Sequence, residues 1–165
     1  MCRKDALIRN LKKHKKQLER DGKGNEAAEY DFYPMTYVLP AEYVLWVEEF
    51  KRGQSSTEGK QVWIMKPTGK SQGKGIFLLN RVGQANQWDS GQGEPYIAQR
   101  YITDPLLMGG KKFDLRLYVL VTSFSPLTIY AYRDGFARFT HSRYDPDHLT
   151  NSQAHLTNVA VQKQA

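Results

Sequence analysis

The chain of 165 residues is 40% hydrophobic and 12% aromatic, so it is long and apolar enough to fold around a core as about one domain. No apolar stretch approaches the roughly 18 residues that a membrane span needs, and the charged N-terminus excludes a signal-peptide core. Cys2 is the single cysteine, which excludes a disulfide framework within the chain and favours a reducing, cytosolic setting.

The net charge of +7 is concentrated in one segment of the chain. Residues 1–24 contain nine Lys or Arg and three Asp or Glu, a local balance of +6, which leaves +1 for the rest. Such a segment attracts an acidic partner, and the charge alone leaves open whether this is nucleic acid, a membrane surface or an acidic protein tail. The alternative is an ordinary solvated helix face.

The N-terminal third is predicted to contain two helices. Residues 3–20 have the spacing of an amphipathic helix with one apolar stripe, made of Leu7, Leu11, His14 and Leu18. Residues 21–29 are a flexible connection, and the following segment, which contains Pro34 and Pro40, is extended because residues before proline avoid the helical conformation. Residues 41–52 suit a second helix with four inward side chains, Tyr43, Val44, Val47 and Phe50. A polar loop over residues 53–60 follows.

From residue 61 onward the pattern changes to short runs rich in β-branched and aromatic residues, which predict strands. The six runs are Val62–Met65, Ile76–Leu79, Tyr96–Arg100, Phe113–Thr122, Thr128–Tyr132 and Ala137–Phe139. The last three are too close together for crossover helices, which indicates antiparallel hairpins. The predicted fold class is therefore α+β.

A glycine- and lysine-rich loop separates the first two strands, in the stretch WIMKPTGKSQGKGIFLL from Trp63 to Leu79. It is not a Walker A sequence, because Gly69 and Gly73 are too close together and Lys74 is followed by Gly. A hairpin of this kind can fold over phosphates, with its backbone N–H groups as donors, Lys74 as a mobile charge and Lys66 held on the strand. The alternative is an ordinary exposed hairpin.

The run KKFDLRLYVLVT at residues 111–122 places Lys112, Asp114 and Arg116 on one face of a strand. The opposite face is apolar and contains Phe113, Leu115, Leu117 and Val119. Three charges on an apolar strand are costly unless they face solvent or a binding site. In a binding site, Lys112 would contact a phosphate, and Asp114 would contact ribose or a metal ion. Arg116 would contact a phosphate or a substrate carboxylate, and Arg133 could bind a carboxylate as a second clamp. The alternative is a sheet with one solvated face.

Two shorter motifs add polar groups. IAQRYI at residues 97–102 alternates, with Ala98, Arg100 and Ile102 on one side and Ile97, Gln99 and Tyr101 on the other. Such a strand edge can present backbone groups to an adenine. The alternative is a plain sheet strand, which has the same alternating pattern. HLTN at residues 155–158 supplies His155, Thr157 and Asn158, which could hydrogen-bond phosphates or a metal-bound water, or serve as turn and cap residues.

Five motifs in chain order resemble the tubulin tyrosine ligase-like family: KPTGKSQGKGI, IAQRYI, KKFDLRLYVLVT, YRDG and HLTN. Two upstream segments, RKDALIRNLKKH and YDFYPMTYVLPAEY, extend the resemblance over nearly the whole chain. It is greatest to the branch that adds glutamate chains to tubulin. The resemblance implies a partial ATP-grasp fold with antiparallel sheets, with residues 1–29 as the basic helix and linker and residues 30–165 as an incomplete ligase domain.

The resemblance also implies an ATP-dependent ligase that activates a carboxylate as an acyl phosphate and joins it to the amine of free glutamate. Its implied partners are the acidic tails of tubulin in microtubules, and its implied location is the cytoplasmic cytoskeleton, with cilium or flagellum expected from the resemblance alone. Neither nucleic acid nor a membrane is an expected partner.

Carried over residue by residue, the resemblance assigns Lys66 and Arg116 catalytic roles and Arg133 and Lys163 contacts with the glutamate substrate. It assigns ATP binding to Lys66, Ser71, Gln72, Gly73, Lys74, Gly75, Gln99, Arg100, Tyr101, Ile102, Lys112, Asp114, Thr157 and Asn158. Gln99 to Ile102 would form the adenine hinge. Relatives usually carry an arginine near Gln72, so the phosphate loop here has one fewer cation.

The family binds Mg²⁺ through an Asp and a later Glu-x-Asn, on strands that follow HLTN. This chain ends at Ala165 and contains no Glu-x-Asn, so we expect no metal ligands in it and a catalytically impaired, truncated form of a ligase. A module that binds tubulin or nucleotide without turnover is the alternative. Nucleic-acid binding by the basic helix is a weaker one, because the later aromatic residues are interleaved with sheet hydrophobics and not with cations.

Overall fold

The computed structural model describes residues 3–55, 61–87 and 94–163. The chain divides into two compact units, Met1–Thr103 and Asp104–Ala165. The division that the resemblance implies, at residues 29 and 30, stays a prediction. No helix within the described ranges has both the length and the apolar character that a membrane crossing requires.

The first unit consists of one antiparallel sheet with helices on both faces. Its helices are α1 (Lys4–Arg20), α2 (Gly24–Ala28), α3 (Tyr43–Gln54) and a 3₁₀ helix (Val82–Gln87). Its strands are β1 (Thr36–Leu39), β2 (Trp63–Pro67), β3 (Phe77–Leu79) and β4 (Tyr96–Arg100). They lie in the order β1-β4-β2-β3, and every neighbouring pair is antiparallel. These elements and those of the second unit confirm the α+β class with antiparallel sheets.

Alternation along the strands gives this sheet two buried faces. Trp63 and Met65 on β2 face α3 and belong to the same core cluster as Trp46 and Phe50. Ile97 on β4 and Val38 on β1 face α1 instead and pack against Ile8. Because helices cover both faces, the strands are apolar on both sides and a polar side chain among them is an exception.

Helix α1 is confirmed, but its inward stripe differs from the predicted one. Ile8 and Leu18 are buried, whereas Leu7 is 45% exposed and the His14 ring contacts Tyr30 at the surface. Asp5 is also buried. Burial by itself would raise the pKa of Asp5, yet the N–H of Ala6 and the guanidinium groups of Arg3 and Arg9 hold that pKa below its ordinary value.

The predicted inward face of α3 is partly wrong. Val44 is 66% exposed and Tyr43 is 38% exposed, while Trp46 and Phe50 are buried. The helix is rotated because Trp63 on β2 stacks against Phe50 and lies edge-on to Trp46. The connection predicted for residues 21–29 is corrected as well, since it contains the short helix α2. Most of the predicted loop at residues 53–60 lies outside the described residues.

The second unit contains five strands and two short helices. They are β5 (Leu107–Met108), β6 (Lys111–Arg116), β7 (Val119–Phe124), β8 (Leu127–Ala131), β9 (Phe136–Phe139), α4 (Ser152–His155) and α5 (Val159–Gln162). Strands β5, β6 and β9 form one sheet, and β7 and β8 form a separate hairpin. All of the pairings are antiparallel, as expected from the short connections.

The strand predicted over residues 113–122 is wrong as a single element. It is two strands, β6 and β7, interrupted at Leu117 and Tyr118. The break arises because the returning chain pairs twice: Ala131 of β8 lies opposite Val119, and Phe136 of β9 lies opposite Arg116 in the other sheet. The face predicted to be buried is also exposed, at 63% for Leu115, 65% for Leu117 and 61% for Val119.

The corrected face of α3 leads to a stability prediction. Trp46→Ala should lower the free energy of unfolding by roughly 3–5 kcal/mol, because it leaves a large cavity in the core of the first unit. Val44→Ala, on the exposed side of the same helix, should change it by less than about 0.5 kcal/mol. Urea unfolding followed by tryptophan fluorescence and circular dichroism measures both. Equal losses would contradict the observed orientation of α3.

Candidate functional site

The glycine–lysine loop is the turn of an antiparallel hairpin, as its sequence predicts. Strands β2 and β3 pair from Trp63 opposite Leu79 to Met65 opposite Phe77. At the tip, the N–H of Lys74 donates to the carbonyl of Ser71 (3.1 Å). Gln72 and Gly73 between them have φ values of 59° and 82°, a conformation that suits glycine and strains glutamine.

Gly75 allows the loop to return closely over the sheet. Its φ is 70°, and a Cβ atom at this position would lie 3.1 Å from the Pro67 ring and 3.2 Å from the Tyr96 hydroxyl. That hydroxyl also contacts the Gly75 carbonyl at 3.3 Å. The predicted loop residues Ser71, Gln72 and Lys74 are exposed, so their polar groups face solvent.

Behind this loop, Lys66 on β2 belongs to a buried polar chain. Its Nζ donates to Oε1 of Gln99 (2.7 Å), and Nε2 of Gln99 donates to the Thr36 hydroxyl (2.8 Å). The Thr36 hydroxyl in turn donates to the carbonyl of Pro34 (2.7 Å). These side chains share the face of the sheet that α1 covers. The structure therefore joins two predicted site residues, Lys66 and Gln99, through an unpredicted one, Thr36.

Lys66 is a half-buried cation. Within the described ranges, no carboxylate forms an ion pair with its ammonium group. Burial lowers the pKa of Lys66, and the charge of Lys4 lowers it further. A buried cation without a counter-ion is costly, so this position is suited to an anion from outside the chain.

The first turn of α1 holds the base of the loop. Nζ of Lys4 donates to the carbonyl of Pro67 (2.9 Å) and to that of Lys70 (2.7 Å). Nη2 of Arg3 donates to the Thr68 hydroxyl (3.2 Å). Sequence analysis missed both cations as loop contacts, because more than 60 residues separate the partners and no local signal links them.

A cavity of about 540 Å³ lies where this turn meets the loop. Its walls include Arg3, Lys4, Gly69 and Ser71. Lys70 also lines it, although its ammonium group is paired with the carboxylate of Glu94 (2.7 Å). The cavity is therefore lined by three cations, by the carboxylate of Glu94 and by uncharged residues, including Pro95.

The predicted adenine hinge, Gln99 to Ile102, lies at the end of β4 and beyond it. The N–H of Arg100 donates to the carbonyl of Met35 (2.8 Å), and the N–H of Tyr101 donates to that of Val62 (2.9 Å). The ring of Tyr101 is buried and Ile102 is 58% exposed. A contact to adenine would thus use groups other than these two N–H donors, and the hinge stays a prediction.

In the second unit the structure brings Lys112, Asp114 and Thr157 together. Arg138, directly opposite Asp114 on β9, donates from Nε to the Asp114 carboxylate (2.8 Å) and also from Nη2. The hydrogen bond from Arg138 is the main cause of the lowered pKa of Asp114; burial opposes it, and a bond from Thr157 supports it. Nζ of Lys112 donates to the carbonyl of His155 (3.1 Å). Sequence analysis missed Arg138, although its position opposite Asp114 follows from the strand register.

The remaining predicted site residues of the second unit lie apart from this group. Arg116 is exposed, with its guanidinium carbon 5.7 Å from the centre of the Tyr118 ring. Arg133 is exposed in the turn between β8 and β9. Asn158 and Lys163 flank α5 at its two ends. No contact described here joins Arg133 and Lys163 into a carboxylate clamp, so their role stays a prediction.

The described ranges contain no group of three or more His, Cys, Asp or Glu side chains that could hold a metal ion. The Asp114 carboxylate accepts two bonds from Arg138 and does not form such a group with another acid. The expectation that this chain lacks the metal ligands of the family stays a prediction.

Comparison with known proteins identifies the family. The sequence pattern of the tubulin-tyrosine ligase family matches residues 1–165, so the chain belongs to that family. This confirms the family that the five motifs predict. With its mixed helices and antiparallel sheets, the structure is consistent with a partial ATP-grasp fold.

The similar curated proteins are named as tubulin polyglutamylases. The chain is 49% identical over 170 residues to a probable tubulin polyglutamylase, ttll-9, of Caenorhabditis elegans, covering 100% of this chain and 40% of the worm protein. It is 44% identical over 182 residues to a probable alpha-tubulin polyglutamylase, Ttll1, of Tetrahymena thermophila (99% and 43%). It is 42% identical over 199 residues to a probable tubulin polyglutamylase, TTLL9, of Bos taurus (99% and 42%). The chain spans about two fifths of the length of these relatives.

Lys4→Met should loosen the glycine–lysine loop, because it removes both bonds from the ammonium group to the loop carbonyls. Hydrogen exchange of the amides at residues 69–75 should accelerate about tenfold, which corresponds to one net charge-assisted hydrogen bond. Lys12→Met is the matched control, since Lys12 lies on the same helix and pairs with Glu42 instead. The same acceleration in both variants would contradict a specific role of Lys4 at the loop.

Arg138→Gln should raise the pKa of Asp114 towards its ordinary value of 3.8, because the largest cause of the lowering is removed. A lowered pKa contributes stability above the unfolded pKa, and this contribution is lost as the pH falls through the folded pKa. At pH 7 the variant should be less stable by roughly 0.5 kcal/mol, since the pair is partly exposed.

A carboxyl NMR titration measures that pKa in the native chain and in the variant. Arg116→Gln, on the same strand as Asp114, is the control and should leave the pKa unchanged. If the pKa of Asp114 is the same in all three chains, Arg138 does not control it.

Proposed function

We propose that this chain carries part of the nucleotide site of an ATP-dependent ligase of the tubulin polyglutamylase type. The observation that carries the proposal is the half-buried ammonium group of Lys66 behind a glycine–lysine hairpin, without a carboxylate partner among the described residues. Membership of the tubulin-tyrosine ligase family and the names of the relatives support the choice of ATP as the anion and of a ligase reaction.

In this proposal ATP contacts the residues to which the family resemblance assigns nucleotide binding. Lys66 and the hairpin residues Ser71 to Gly75 would hold phosphates, through charge and through backbone N–H donors. The segment Gln99 to Ile102 would contact the adenine. Lys112 and Asp114, with Thr157 and Asn158, would complete the nucleotide site, and Arg116 would stabilise the transferred phosphoryl group.

The proposed reaction joins two carboxyl-bearing partners at the expense of ATP. An oxygen of a tubulin glutamate carboxylate attacks the γ-phosphorus and displaces ADP, which gives an acyl phosphate. The amine of free glutamate then attacks the acyl carbon, loses a proton and displaces inorganic phosphate, which leaves an isopeptide bond. Arg133 and Lys163 would bind the carboxylates of the incoming glutamate. The location that follows is the microtubule cytoskeleton in the cytoplasm, including cilia or flagella.

A second candidate is a module that binds nucleotide or tubulin without turnover. Two observations favour it: the described residues contain no metal-binding cluster, and Asp114 is already engaged by Arg138. Phosphoryl transfer depends on cations at the transferred group, so a chain without metal ligands would be catalytically impaired. The two candidates differ in the chemical step, which the second one lacks.

Lys66→Met separates a binding role of Lys66 from a structural one. It should weaken ATP binding about ten- to a hundredfold, because one charged phosphate contact is lost. It should leave the fold equally stable or more stable, since it removes a buried, uncompensated charge. Isothermal titration with ATP and urea unfolding measure the two effects. Lys51→Met, at an exposed position on α3, is the control.

Unchanged ATP binding in Lys66→Met would overturn the proposed site. The choice between the two candidates needs a further measurement, the incorporation of labelled glutamate into tubulin. Incorporation that is lost in Lys66→Met would establish the ligase and contradict the impaired form. ATP binding without incorporation would establish the non-catalytic module.

A further inference from the structure

The cations of α1 fall into two groups. Most are engaged within the fold: Arg3 and Arg9 flank Asp5, Lys12 pairs with Glu42, Lys15 pairs with Asp31, and Lys4 donates to loop carbonyls. Lys13, Lys16 and Arg20 form the other group. All three are exposed, and within the described ranges no carboxylate forms an ion pair with any of them.

These three cations lie on one stripe of the helix. Their spacing of three and then four residues keeps them within an arc of about 60° at 100° per residue. The stripe is opposite to Ile8 and Leu18, the apolar residues that α1 buries. Arg9 extends it by one turn, so it runs for about 16 Å along the outer side of the helix.

We propose that this stripe, formed by Lys13, Lys16 and Arg20, binds a run of carboxylates on an acidic peptide. The proposal rests on the function proposed above and names a contact surface for its substrate. Neighbouring cations on the stripe are about 5–6 Å apart at Cβ, and alternate side chains of an extended peptide are about 6.6 Å apart. Consecutive cations can therefore pair with every second glutamate of an extended chain.

The chemistry of the surface favours a peptide over nucleic acid. The relatives are named polyglutamylases, and a polyglutamate chain is a dense series of carboxylates. Surfaces that bind single-stranded nucleic acid combine cations with aromatic side chains on which bases stack. The side chain beside the stripe is that of Gln17, which donates to Asp21, and none of the three cations has an aromatic neighbour on the stripe itself.

The test compares two variants of equal charge. The stripe variant is Lys13→Gln, Lys16→Gln, Arg20→Gln, and the control is Lys51→Gln, Arg81→Gln, Arg143→Gln at exposed positions elsewhere. Each removes three of the seven net positive charges, and glutamine keeps the helix propensity of lysine and arginine. Fluorescence anisotropy with a labelled deca-glutamate peptide, in the absence of nucleotide, should show about tenfold weaker binding for the stripe variant and less than about twofold for the control.

Equal loss in the two variants would overturn the proposal, because net charge alone would then explain the binding. Tighter binding to an oligothymidine of the same charge than to the peptide, lost in the stripe variant, would also overturn it and assign the surface to nucleic acid. Circular dichroism of both variants measures whether the helix is retained, and we expect an unchanged helical signal. The assay contains no ATP, so its failure leaves the nucleotide site standing, and failure of the Lys66→Met experiment leaves the peptide surface standing.

Discussion

The ammonium group of Lys66 is the constraint around which the first unit is organised. It lies on strand β2, in a sheet that helices cover on both faces. There it donates a hydrogen bond to the amide oxygen of Gln99 on the neighbouring strand β4. A second cation, Lys4, is close enough to lower the pKa of Lys66 further. An apolar side chain at this position would leave the sheet equally stable or more stable, which is why we propose that an incoming anion neutralises the charge.

Helix α1 connects this charge to the rest of the unit. Its inner side buries Ile8 against the sheet, its first turn fixes the carbonyls at the base of the glycine–lysine loop, and its outer side carries cations in solvent. One element thus determines the position of the loop, the electrostatic environment of Lys66 and the charge of the surface. The cations of residues 1–24 therefore have different roles in the structure, and the composition of the segment alone does not distinguish these roles.

Features that depend on local periodicity were predictable from the sequence, and features that depend on distant partners were not. Helix α1, the β2–β3 hairpin and strand β4 have clear local patterns and form as expected. The stripe of α3 is ambiguous locally, since Val44 and Trp46 both continue a helical repeat, and contact with Trp63 on β2 decides between them. The break at Leu117 and the pairing of Asp114 with Arg138 are likewise set by strands that return later in the chain.

Each unit contains a group of charged side chains with a net positive charge, but the charges are arranged differently in the two groups. The first leaves a buried lysine without a carboxylate among the described residues, whereas the second pairs Asp114 with Arg138 and places Lys112 beside them. Because the arginine cancels the charge of the aspartate, the lysine leaves that group with a net positive charge. An acid that is already neutralised cannot repel phosphate oxygens, so Asp114 can hydrogen-bond or orient neighbouring groups while the site stays cationic. Both groups of charges thereby favour anions, although among the described residues the first contains a half-buried charge without a carboxylate partner and the second pairs its acid with an arginine.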